Sequence, residues 1–121
     1  MATKDLTTVA QLEQTLATSD IVVIDFWAAW CGPCKMFGPI YEKVSNAHAD
    51  AAFTKVNTEE AVELASAFGV SSIPTLAIFR DNILVFKQPG MLPEPALNDI
   101  LSKVKELNMD KVRAEIAEKN V

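Results

Sequence analysis

Residues 21–27, Ile21-Val22-Val23-Ile24-Asp25-Phe26-Trp27, form an apolar run broken by one charge. Such a β-branched run predicts a strand buried on both faces. Before it, Leu6, Val9, Leu12 and Leu16 recur at helical spacing and Thr18-Ser19-Asp20 ends the segment, so an amphipathic helix is expected to open the chain. After it, Cys34, Phe37, Tyr41, Val44 and Ala47 mark one face of a long helix. Pro33 suits its first turn, where a missing N–H is harmless, and Pro39 is expected to bend it.

Residues 51–57 read as a second strand. Thr58 is the expected cap of a helix with Glu59 and Glu60 in its first turn, Ala61, Leu64, Ala65 and Phe68 on its buried face, and Gly69 as its stop. Residues 75–79 and 83–88 make the arms of a hairpin around Arg80-Asp81-Asn82, with Asn82 suited to a positive φ. Residues 93–107 give a helix with Leu97, Ile100, Leu101, Val104 and Leu107 inward. Asn108 then stops the chain's helical run, and Asp110 is the expected cap of a short last helix bearing Val112 and Ile116 on one side. Alternating helices and strands that close on a hairpin predict an α/β fold, a mixed sheet with helices on both faces.

The chemistry concentrates where the apolar strand meets the long helix. Both cysteines of the chain, Cys31 and Cys34, stand there with Gly32 and Pro33 between them. One helical turn separates them, which sets their Cα atoms about 5.5 Å apart, a separation that serves two thiols or a disulfide. Cys31 falls at the helix N-terminus, where free N–H groups and the helix dipole favour a thiolate, so it is the expected nucleophile. Cys34, a turn further in, is expected to be more buried and to act as the resolving thiol. A static disulfide is the bland alternative.

At 121 residues and 50% apolar content the chain supports one core, and its net charge of −5 with no run of Lys or Arg disfavours nucleic acid and anionic membrane as partners. No apolar stretch is long enough to span a bilayer, and Met1-Ala2-Thr3-Lys4-Asp5 does not read as a leader, so a cytoplasmic location is expected. In a reducing compartment a close cysteine pair is redox-active or metal-binding. Metal is the weaker reading, because two thiols and His48 do not complete a zinc site. His48 lies about 20 Å along the helix from Cys34 and is expected at the surface. Glu59 and Glu60 read as helix-dipole partners and not as metal ligands.

Asp25-Phe26-Trp27-Ala28-Ala29-Trp30-Cys31-Gly32-Pro33-Cys34-Lys35 resembles the active-site signature of the thioredoxin family. Pro39 matches that family's helix-kinking proline, Lys55 its strand lysine, Ile73-Pro74-Thr75 its cis-proline loop and Gly90 its glycine near the last strand. The match runs from about residue 4 to residue 107. It implies a five-stranded thioredoxin fold over residues 1–107; residues 108–121 extend beyond the usual end of that core and are expected to pack on the same domain as a helix, a dimer or partner contact being the alternative. It also implies reduction of protein disulfides and recycling by thioredoxin reductase, an NADPH-dependent flavoprotein. NADPH and FAD would belong to that partner. This chain would bind no cofactor, its Cys31–Cys34 disulfide being the electron carrier, and a monomer is the default. The Gly32-Pro33 insert resembles the reductases of the wider family more than its oxidases or isomerases.

Asp25 is the lone charge in its strand, and burial raises the pKa of such a carboxylate. It is the expected proton acceptor for Cys34, with Lys55 of the neighbouring strand tuning it. A cis Ile73–Pro74 bond would set the Ile73 backbone beside Cys31. Trp30, Gly32, Pro33, Ile73, Pro74, Gly90 and Met91 would then surround the nucleophile with a flat, mostly apolar docking patch for protein substrates. Trp27 is expected in the core and Trp30 partly exposed beside the thiols. From a different class, a binding subunit that uses the docking face without turnover is the competing reading.

Overall fold

The computed structural model describes residues 3–119. Met1 and Ala2 of the leader reading, and the last two residues of the extension, lie outside the described residues. Five strands, β1 (Thr3–Asp5), β2 (Ile21–Trp27), β3 (Ala52–Asn57), β4 (Thr75–Arg80) and β5 (Ile83–Pro89), form one sheet in the order β1-β3-β2-β4-β5. β1, β3 and β2 are parallel, β4 runs antiparallel to β2, and β5 antiparallel to β4. The expected mixed sheet is therefore present.

Among the described residues there are also five helices: α1 (Val9–Thr18), α2 (Gly32–Ala47), α3 (Val62–Ala67), α4 (Glu94–Glu106) and α5 (Met109–Lys119). β2, buried from residue 21 to residue 26, gives alternate side chains to two cores. Val23 joins Phe37, Tyr41, Val44, Leu97 and Leu101 of α2 and α4 on one face. Val22, Ile24 and Phe26 join Leu12 of α1 and Leu64 of α3 on the other. Burial on both faces explains why the strand reads as continuous apolar sequence.

The boundaries differ from expectation in ways that local hydrogen bonds explain. α1 begins at Val9, not near Leu6, because Thr8 and Gln11 form a reciprocal capping box. Leu6 belongs to the preceding extended segment, where its N–H donates to Lys55 O at 2.8 Å and its side chain is buried. Thr58 does not cap α3: its hydroxyl donates to Trp27 O at 3.2 Å, and the helix starts only at Val62. Glu59 and Glu60 thus occupy a turn and not a first helical turn, while Glu63 takes the position near the dipole. Asn108, not Asp110, caps α5, its side chain accepting the Lys111 N–H at 3.1 Å. Asp110 pairs instead with Arg113, 2.6 Å away.

Other local signals act as read. Gly69 ends the helical segment with φ +62°. The hairpin turns on two residues, Asp81 and Asn82, both at positive φ (51° and 64°), the geometry whose twist matches paired strands. Pro39 lies inside α2, so Lys35 O receives no N–H from it. At the far end of β4, Arg80 donates to the carbonyls of Val104, Lys105 and Leu107 at the C-terminal end of α4, where Val104 O also takes the Leu107 N–H.

Candidate functional site

Cys31 is the N-cap of α2, and its Sγ accepts the Cys34 N–H at 3.2 Å. A turn in which Cys31 N–H donates to Ala28 O at 3.2 Å holds it in place after β2. The two cysteines are joined by a disulfide, with Cα atoms 5.2 Å apart. The expected difference in burial is not found, since Cys31 is 4% exposed and Cys34 5%. What separates them is position: Cys31 faces the open N–H groups at the helix start and Cys34 lies within the first turn.

The surroundings come from three other chain segments. Ile73 O lies 3.6 Å from Cys31 Sγ, and the Ile73–Pro74 bond is cis. Pro74 is itself buried, so it supports the rim and does not offer surface as the patch reading expected. Its carbonyl accepts the Gly90 N–H at 2.7 Å, which ties residue 90, at φ +96°, to the same rim. Gly32 and Pro33 are exposed, and Ile73 and Met91 are half-buried. Trp30 is 70% exposed, and its indole N–H donates to Glu59 Oε1 at 2.5 Å. Sequence reasoning missed that role for Glu59, and it missed Met36, a 65% exposed apolar side chain one turn along from Pro33. Its signal was a methionine outside the apolar stripe of α2.

On β2, Asp25 is 1% exposed, and neither carboxylate oxygen has a hydrogen-bond partner among the described residues. Burial pushes its pKa up to about 7, while the positive charge of Lys55 pulls the other way. Asp25 and Lys55 are register partners on β2 and β3. Yet the Lys55 ammonium sits 4.9 Å from the centroid of the Trp27 ring, and no ion pair with Asp25 forms. Trp27 is half-buried, not fully in the core.

His48 closes α2 at its far end and is half-buried, not a free surface group. Lys105 Nζ bonds its Nδ1 at 2.7 Å, and its Nε2 bonds Asn98 Oδ1 at 2.8 Å. Lys105 also bonds Asp50 at 2.9 Å and holds that carboxyl below its usual pKa. Among the described residues no group of 3 or more His, Cys, Asp and Glu is placed to hold a metal ion, and no helix is long and apolar enough to cross a membrane.

A family model described as Thioredoxin matches residues 4–116. The chain belongs to the thioredoxin family. It is 56% identical over 106 residues to a protein named Putative thioredoxin 2 from Streptomyces coelicolor, spanning 88% of this chain and 79% of that one. It is 42% identical over 98 residues to a thioredoxin from Mycoplasmoides gallisepticum, with 81% and 98% covered. Among solved structures, a mutant thioredoxin from Halobacterium salinarum superposes with a TM-score of 0.81 at 36% identity, covering 87% of this chain and 92% of that one. The Cys31–Cys34 pair is the redox-active disulfide of a thioredoxin-type dithiol–disulfide oxidoreductase.

Proposed function

We propose that the protein is a cytoplasmic, monomeric reductase of protein disulfides, recycled by an NADPH-dependent thioredoxin reductase. One observation carries the reading: the helix-capping sulfur of Cys31 sits beside an open, largely apolar rim, and the strand that leads into its turn carries an unpaired buried carboxylate, Asp25. In the reduced protein the Cys31 thiolate attacks one sulfur of a substrate disulfide, forming a mixed disulfide and releasing the other sulfur as a thiolate. Cys34 then attacks Cys31 Sγ, the mixed disulfide breaks, and the second substrate sulfur leaves. Two electrons pass to the substrate, and the Cys31–Cys34 disulfide remains. Asp25 takes the proton from Cys34 in the second step, and Lys55 tunes it.

Trp30, Gly32, Pro33, Ile73, Gly90 and Met91 make the docking surface, with Pro74 as its support. The polar backbone of Ile73 and the small apolar contacts suit an extended peptide of varied sequence. The test is a coupled assay. NADPH, thioredoxin reductase and a disulfide-bonded protein should show NADPH oxidation that depends on this chain and continues for many turnovers. A chain that accepts electrons from the reductase but passes none to protein disulfides would contradict the proposal.

A further inference from the structure

The two most exposed large apolar side chains among the described residues are Trp30, at 70%, and Met36, at 65%. Exposed apolar residues scattered singly are ordinary, but these two stand on either side of the cysteine pair in the chain. The core does not claim Met36. α2 buries Cys34, Phe37, Tyr41 and Val44, and a turn of about 100° per residue takes Met36 off that face and sets it beside Gly32 and Pro33, four and three positions earlier. Its side of the helix is fixed by the residues that continue its row. Ile40 packs against the same core as Met91 and Leu92, and Lys43 pairs with Glu94 at the start of α4, 3.2 Å away. Met36 thus lies on the flank of α2 that turns toward residues 91–94. Gly90, whose N–H donates to Pro74 O, brings the half-buried Met91 to the rim on that flank.

We propose that Met36 is a specificity-determining contact for protein substrates: it receives an apolar side chain two residues away from the substrate cysteine that bonds Cys31. This rests on the reductase reading above and names the substrate chemistry that the site selects. Five residues of helix carry Met36 about 7.5 Å along α2 from Cys31, and two residues of an extended peptide span about 7 Å. A segment joined to Cys31 and running along the Met36 flank therefore brings its second neighbour, not its first, over the thioether. In extended chain that second neighbour also projects to the same side as the cysteine, toward this protein. The residue between them projects away and is left free to vary. A thioether suits the task, since an unbranched, polarisable side chain moulds to apolar partners of different shape. Met91 borders the same flank, so the segment lies between two methionines.

The test uses the reduced full chain, freed of added reductant, and two symmetric peptide disulfides that differ only in carrying Leu or Ser two residues to each side of the cysteine. Each reaction oxidises the Cys31–Cys34 pair and releases two peptide thiols, whose second-order rate of appearance is read by acid quench and chromatography. The wild-type chain should reduce the Leu peptide about fivefold faster than the Ser peptide, the gain expected from covering about half of a leucine side chain. In Met36→Gln, which keeps the length of the side chain and a good helix former, that ratio should fall below about 2. In Met36→Leu it should stay near its wild-type value. A ratio near 1 in the wild type, an undiminished ratio in Met36→Gln, or an equal fall in Met36→Leu would overturn the inference, and the reductase reading would stand as long as both peptides are reduced. Failure to reduce either peptide, in a chain whose two thiols are counted as free at the start, would contradict the reductase reading and the inference with it.

Discussion

Cys34→Ser should convert the protein from a catalyst into a trap. Cys31 keeps its place as N-cap and its open N–H groups, so attack on a substrate disulfide proceeds and about one substrate becomes linked per chain. The serine hydroxyl cannot displace sulfur, so turnover should fall by at least about a thousandfold. Mass spectrometry under non-reducing conditions would show chain plus substrate, released by added dithiol. Cys31→Ser should give neither adduct nor turnover. Sustained turnover by Cys34→Ser would mean that resolution comes from elsewhere, and a substrate adduct on Cys34 in Cys31→Ser would reverse the two roles.

Asp25→Ala should raise stability and slow the chemistry, each with a set pH dependence. The folded-state pKa is about 7 against 3.8 for the free group, so between those values the native state binds the extra proton. Stability must then fall as pH rises from about 4 through about 7 and level off above. About 3 pH units of separation correspond to about 4 kcal/mol lost at alkaline pH. Denaturant unfolding of the oxidised protein should find Asp25→Ala more stable by about 2–4 kcal/mol at pH 9, allowing for the small cavity left, and near wild type at pH 4. The same substitution should slow Cys34 attack on a mixed disulfide by about 100-fold at pH 7 and remove the rise in rate through that pH. Equal stabilisation at pH 4 and pH 9 would contradict the buried-charge account, and a normal resolution rate would contradict the proton-acceptor role.

What the sequence made legible follows from how locally each signal acts. β2 is buried on both faces, so its residues announce it. Cys31 as a helix cap, Gly69 as a stop and Asp81-Asn82 as a tight turn depend on near neighbours alone. β1 left no such trace in the residues. Thr3, Lys4 and Asp5 are short and polar, and their strand exists only because β3 offers an edge to pair with. Thr58 has the chemistry of a cap, but a carbonyl of β2 claims its hydroxyl first.

The site divides the same way. Its cysteines, Asp25 and Lys55 are fixed by motif and strand. The near-equal burial of the two cysteines, the inward placement of Pro74 and the Trp30–Glu59 bond arise from segments far apart in the chain. Lys55 shows the limit most clearly. Its place in the strand beside Asp25 is legible, but its lean over the Trp27 ring is a contact between strands that spacing does not reveal.

The most direct test of the central claim is the equilibrium reduction potential of the Cys31–Cys34 pair, titrated against a dithiol buffer with free thiols counted at each step. A reductase of protein disulfides requires a value clearly more negative than the glutathione poise of about −240 mV, so that electrons run from this pair into substrates. A value near −180 mV or above would make the protein an oxidant or isomerase and contradict the account.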